Sequence, residues 1–125
     1  MSIKKGSPWV VIGALLGALG VGMGAFGAHA LEDMLTEHYR DVYETASKYM
    51  LVHAVLITAL GMQNTPKIPA SIMYLFSIGV CIFSFTLWTL AVTQIKWLGA
   101  ITPIGGVLMI IGWLRLAWWG KNTGA

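Results

Sequence analysis

The strongest constraint on this chain is where its charges are missing. Thirteen charged residues occupy 125 positions, and the gaps between them reach 26 residues (6–31), 18 (49–66), 28 (68–95) and 18 (97–114). About 18 residues with few or no charges are enough to cross a bilayer as a helix. In hydrocarbon a backbone must satisfy its own hydrogen bonds, so runs of this kind are predicted to be helical. Composition agrees, with 57% of the residues hydrophobic and 10% charged, against about 25% charged in an ordinary soluble domain. That inventory excludes a soluble enzyme, a disordered chain and a nucleic-acid-binding module. The net charge of +3 comes from lysines that flank apolar runs, and no nucleic-acid partner is expected.

The expected fold class is all-α: one polytopic membrane domain spanning residues 1–125. Four transmembrane helices are predicted over about 8–30, 48–63, 70–93 and 96–120, with an amphipathic surface helix over about 31–47. Lys4 and Lys5, an apolar stretch and Ala28-His29-Ala30 together imitate a secretory signal. The apolar core from Trp9 to Phe26 is 18 residues, however, longer than the roughly 7–15 of a signal's hydrophobic region. The segment is therefore read as a retained span, capped by Ser7 with Pro8 in the first helical position. The surface helix follows from Leu31, Leu35, Val42, Ala46 and Tyr49 on one face and Asp33, Glu37, Asp41, Glu44 and Lys48 on the other. Gln63 to Pro69 forms a turn rich in helix breakers. Pro103 removes a backbone donor and is expected to kink the last span.

Glycine is patterned too. Gly13, Gly17, Gly20, Gly24 and Gly27 recur at spacings of four and three, which places a smooth stripe, a glycine zipper, on one face of the first span. Small residues let membrane helices approach closely, so these five are the expected packing positions. Gly22, Gly24 and Gly27 also fit a dinucleotide fingerprint, but that motif needs a preceding strand and a soluble sheet, which an uncharged run cannot supply.

With four spans, the N-terminus, the 63–69 turn and the C-terminus share one side, with Lys4, Lys5, Lys67 and Lys121. Arg40, Lys48 and Lys96 fall on the other. The positive-inside rule then places both termini in the cytoplasm of a bacterial plasma membrane. Trp9, Trp118 and Trp119 would anchor the inner interface, and Trp88 and Trp97 the outer one.

Threading the spans gathers a polar cluster at one depth in the outer leaflet: His29, Tyr49, His53, Thr89 and Thr102, with Glu44 the nearest acid to recruit. Intramembrane ionisable groups are costly and usually face the bundle interior. Two histidines fall short of the three or four ligands of a metal site, so no metal is assigned. A histidine proton relay and a headgroup or quinone pocket both remain chemically open. These side chains are expected to bond one another and hold the bundle. Neither a catalytic triad nor a nucleophile elbow is present, and no cofactor is implied. Cys81 lacks a partner for an intramolecular disulfide and is read as a small buried apolar residue.

Three motifs carry a family resemblance. Gly24-Ala25-Phe26-Gly27-Ala28-His29-Ala30-Leu31 is followed by Tyr43-Glu44-Thr45-Ala46 with Tyr49 and His53-Ala54. The third is Leu98-Gly99-Ala100-Ile101-Thr102-Pro103-Ile104-Gly105-Gly106, with Gly112-Trp113 beyond it. Together they resemble the domain-of-unknown-function family 423, small bacterial membrane proteins related to eukaryotic transmembrane protein 256. The resemblance implies a four-helix integral membrane protein and transfers no activity. Residues 83–88 depart from it, with Phe85 where a glycine is more common. The function expected is non-enzymatic: an accessory or assembly subunit that partners membrane lipids and either a larger membrane complex or further copies of itself. The alternative is a small lipid- or quinone-binding protein, or carrier, that uses the outer-leaflet cluster.

Overall fold

Helix ends in this chain fall where backbone amides find substitute partners. In the computed structural model, which describes residues 7–64 and 66–123, α1 covers Pro8–His29, α2 Glu37–Gly61, α3 Ala70–Thr93 and α4 Leu98–Thr123. The Trp9 amide donates to Ser7 Oγ at 3.3 Å, and Pro8, which has no N–H to lose, takes the first helical position. Thr36 caps α2 in the same way through the Tyr39 amide. Gln94 closes α3 in the left-handed conformation (φ 58°), and its amide donates to the Leu90 carbonyl.

The expectation of four transmembrane helices plus a separate amphipathic helix is corrected here. Among the described residues three helices, α1, α3 and α4, are long and apolar enough to cross a membrane. The fourth, α2, carries Glu37, Arg40, Asp41, Glu44 and Lys48 in its first half, which disqualifies it by composition. The boundary expected near residue 47 does not exist, because neither glycine nor proline lies between Glu37 and Leu60 to break the helix. Composition changes there while backbone propensity does not. The break falls earlier, at residues 30–36, a turn in which the Met34 and Leu35 amides donate to the Leu31 carbonyl. Arg40 ties the turn down by donating to the Glu32 carbonyl at 3.1 Å.

Each helix packs on the next in the chain, and the contacts fix an antiparallel alternation. Trp9 at the start of α1 lies beside Gly61 at the end of α2, and Gly27 lies beside Tyr43. Between α2 and α3, Ala46 meets Ser84 and His53 meets Phe76. Between α3 and α4, Gly79 meets Gly105 and Phe76 meets Gly112. Two apolar clusters result. One holds Tyr43, Ala46, Met50, Val80, Trp88 and Met109; the other, toward the start of α1, holds Ile57, Ile68, Ile72, Met73 and Phe76. Outside this core the large apolar side chains point away from the protein, among them Leu15, Val55, Ile78, Val107 and Leu114. A contiguous apolar exterior is what a lipid-facing bundle presents.

The glycine stripe is used selectively. A Cβ on Gly13 would collide with the Thr58 hydroxyl and backbone nitrogen, one on Gly20 would press Leu51 at 2.9 Å, and one on Gly27 would strike the Tyr43 ring. These three are seven residues apart and set the α1–α2 approach. Gly17 faces Ala54 at an ordinary 3.7 Å, and Gly24 meets nothing within 4 Å. The α3–α4 pair closes on Gly105, where a Cβ would lie 2.5 Å from both the Gly79 carbonyl oxygen and the Phe83 nitrogen. Helix α4 continues through Pro103, which is exposed. Trp88, expected as an outer anchor, is buried instead, while Trp97 and Trp118 are exposed. Phe85 is exposed and meets Trp88 edge-on at 5.6 Å, so bulk is accommodated at that position.

Gly13→Ala and Gly24→Ala should therefore differ in their effect on thermal unfolding in detergent. The first forces α1 off the α2 backbone and should cost about 1–3 kcal/mol. The second should be neutral or add up to about 1 kcal/mol, since alanine is the better helix former. Equal effects at the two positions would refute this packing register.

Candidate functional site

The site begins with where α2 puts His53. Because the helix starts at Glu37 and not near residue 48, His53 is its seventeenth residue and lies deep in the bundle. It is 4% exposed. Nδ1 lies 2.8 Å from the carbonyl oxygen of Tyr49, one turn earlier, and the Trp113 indole Nε1 donates to Nε2 at 3.1 Å. An indole nitrogen can only donate and a carbonyl can only accept. These two partners fix the imidazole as neutral, with its hydrogen on Nδ1 and a lone pair on Nε2. The ring is stacked on Tyr49 (centroids 6.2 Å, interplanar 10°) and meets Phe76 at 5.9 Å and Trp113 at 5.9 Å. Both nitrogens are satisfied and both faces are covered.

The other expected members are dispersed. Gly17 of α1 lies level with Ala54, and His29 is twelve residues further along, about 18 Å at 1.5 Å per residue. His29 is exposed at the end of α1. Thr102 is buried, but it pairs with Thr86, their hydroxyl oxygens 2.7 Å apart. Thr89 is exposed and donates to the Phe85 carbonyl of its own helix. Tyr49 and His53 are thus brought together, Thr102 joins a different pair, and His29 and Thr89 face outward. Glu44 lies elsewhere again. It lines a cleft of about 540 Å³ at the junction of α1 and α2, with Glu32, Glu37, Asp41, Arg40, Tyr43 and Ser47. Among the described residues no three His, Cys, Asp or Glu side chains converge to hold a metal ion.

Of the residues that do join the helices, the sequence reading had named His53 and Thr102 but missed Tyr43, Ser47, Ser84, Trp88 and Trp113 as their counterparts. Tyr43 donates its hydroxyl proton to the Met23 carbonyl, linking α2 to α1. Ser47 donates to the Tyr43 carbonyl at 3.2 Å and accepts from the Trp88 indole at 3.0 Å, linking α2 to α3. Ser84 donates to the Ala46 carbonyl at 2.8 Å across the same interface. Thr86–Thr102 links α3 to α4, and Trp113–His53 crosses from α4 to α2. Ser84, an isolated hydroxyl in an apolar run, was the available signal, since such a hydroxyl needs a buried acceptor. Among the described residues no buried side-chain nitrogen or oxygen lacks a partner.

Bundle and polar network together define a polytopic helical membrane protein with a hydrogen-bonded interior. The model of a family described as "Protein of unknown function (DUF423)" matches residues 23–106, and the chain belongs to that family. The chain is similar to the UPF0382 membrane protein SSP2132 of Staphylococcus saprophyticus, 44% identical over 110 residues, covering 86% of this chain and 92% of the relative. It is likewise similar to a UPF0382 membrane protein of Staphylococcus epidermidis, 44% identical over 86% of this chain and 90% of the relative. The UPF0382 membrane protein SAB0533 of Staphylococcus aureus is 43% identical over the same shares. No solved structure matches the chain.

Trp113→Phe removes one donor, keeps the ring and strands Nε2 without a partner. It should destabilise the protein by about 1–3 kcal/mol, the cost of an unsatisfied buried polar atom. A His53→Leu/Trp113→Phe double variant should lose less than the sum of the singles. Additive losses would show that the bond contributes nothing. Nitrogen-15 spectra of the imidazole should show hydrogen on Nδ1.

Proposed function

We propose that the protein is a non-enzymatic accessory subunit of the bacterial plasma membrane that works by assembling with other membrane helices, its own copies' or a larger protein's. The observation that carries this reading is the one-sided coverage of α1. Only Gly13 and Gly20 of its 22 residues are buried, while Val11, Leu15, Val21 and Phe26 are open. Beside the α1–α2 seam runs a shallow apolar groove of about 320 Å³ lined by Ala14, Gly17, Ala54, Val55 and Ala59. Small residues along a groove suit close approach of another helix, which is how membrane helices associate. The interior fits the same reading, since several of its polar side chains bond one helix to the next.

The alternative, a lipid or quinone carrier using the His53 cluster, has less support. It needs space beside the imidazole, and that space is filled by Tyr49, Phe76 and Trp113. For orientation, the start of α1 and the end of α4 lie at one end of the bundle with Lys67 and Lys121, which favours cytoplasmic termini.

The test is purification of the full chain in mild detergent, with mass measured by light scattering. A homo-oligomer or a stoichiometric membrane partner is expected, and Ala14→Trp, which fills the groove, should reduce the associated fraction at least severalfold. A partner-free monomer, unchanged by Ala14→Trp, would overturn the proposal.

A further inference from the structure

The two ends of the bundle differ in charge. All five acids lie between residues 32 and 44, where α1 ends and α2 begins. At the other end α1 starts, α2 ends, α3 starts and α4 ends. The charged groups described there are Lys67, Arg115 and Lys121, without a carboxylate among them. A cleft of about 770 Å³ opens at this cationic end, between the first turn of α1 and the loop that follows α2. Its wall is apolar, formed by Trp9, Leu60 and the buried Ile68, and its rim is polar, formed by Ser7, Asn64 and the exposed Lys67.

Two independent sources of positive potential therefore face one rim. Lys67 supplies a full charge. The start of α1 adds the weaker partial charge of a helix N-terminus, where Pro8 has no N–H and the Trp9 and Val11 amides donate to Ser7. Below the rim the apolar wall rewards hydrocarbon and not water. The combination of cationic rim and apolar wall matches an amphiphile with an anionic head. An inorganic phosphate would leave most of the volume and the whole wall unused. Trp9 at this level, edge-on to Tyr74 at 4.9 Å, is the kind of aromatic that settles at a headgroup interface.

We propose that this cleft is a headgroup site for an anionic phospholipid, with the lipid phosphate held between Lys67 and the first turn of α1 and the glycerol end of its chains against Trp9 and Leu60. The inference goes beyond the assembly role and does not depend on it.

The experiment is native mass spectrometry of the full chain released from detergent, with dioleoyl phosphatidylglycerol, dioleoyl phosphatidylethanolamine or inorganic phosphate added. Phosphatidylglycerol should be retained in preference to the zwitterionic lipid, and phosphate should not displace it. Lys67→Gln should lower phosphatidylglycerol retention about fivefold, from roughly 1 kcal/mol for one lysine at an anionic surface. Lys67→Arg should restore it. Lys121→Gln makes the same charge change at the same end, outside the cleft lining, and should alter retention less than twofold. Equal losses for Lys67→Gln and Lys121→Gln would overturn the site in favour of diffuse surface charge. Equal retention of the two lipids, or displacement by phosphate, would overturn it as well. Unchanged lipid-free melting of Lys67→Gln shows that the variant is folded, as expected for an exposed side chain.

Discussion

A polar atom inside an apolar bundle must find a partner inside the protein, and that requirement organises this molecule. Water is not available to stand in, and an unpaired buried group costs several kcal/mol in hydrocarbon. Each successive helix pair here is joined by a side-chain hydrogen bond. Tyr43 reaches the Met23 carbonyl, Trp88 and Ser84 reach Ser47 and the Ala46 carbonyl, and Thr86 meets Thr102. Trp113 adds a bond from α4 back to α2. Individually such bonds are modest, averaging about 0.6 kcal/mol between membrane helices. Their larger effect is directional. Apolar surfaces slide past one another at little cost, whereas a hydroxyl facing a particular carbonyl permits one register.

Close approach makes those bonds possible. At Gly105 the backbone of α4 nearly touches that of α3, and at Gly13 the backbone of α1 nearly touches that of α2. A side chain at either point would hold the helices apart and move Thr102 away from Thr86, or Met23 away from Tyr43. Glycine and hydrogen bond therefore act as one device. The seven-residue spacing of Gly13, Gly20 and Gly27 extends the contact along the seam, as expected when two helices cross at a shallow angle.

Much of the fold was legible because charge-free runs are a direct imprint of solvent. The sequence places α1, α3 and α4 within a few residues of their observed ends, since Ser7, Pro69 and the polar connection at 94–97 interrupt the apolar pattern. What misled was the assumption that a change in composition marks a change in structure. At residues 47–48 the charges stop but the helix does not, so His53 sits about ten residues deeper than a span starting at Lys48 would put it. That shift separates His53 from His29 and dissolves the single-depth cluster. The pairing of His53 with Trp113 was not legible at all. It depends on how α4 is rotated about its axis, which a uniformly apolar helix does not encode in periodicity. Trp88 looked like an interfacial anchor by type and position, yet Ser47 gives its indole nitrogen a partner inside.

The same constraint determines where chemistry can occur. An imidazole whose Nδ1 donates to a carbonyl and whose Nε2 accepts from an indole has no free valence, and protonating Nε2 would set two donors against each other. His53 is thus committed to structure for as long as Trp113 stays in place. The serines and threonines between the helices are committed likewise. The described charged groups lie toward the two ends of the bundle. At one end four carboxylates and Arg40 line a cleft beside the α1–α2 turn; at the other, Lys67 stands on the rim of a cleft beside the start of α1. A chain that alternates direction with every helix collects its termini and loops at those ends. The two ends of this otherwise apolar body therefore carry unequal charge. Recognition by this protein is therefore expected at its ends and along the open face of α1, while the polar interior between them fixes the shape that carries those surfaces.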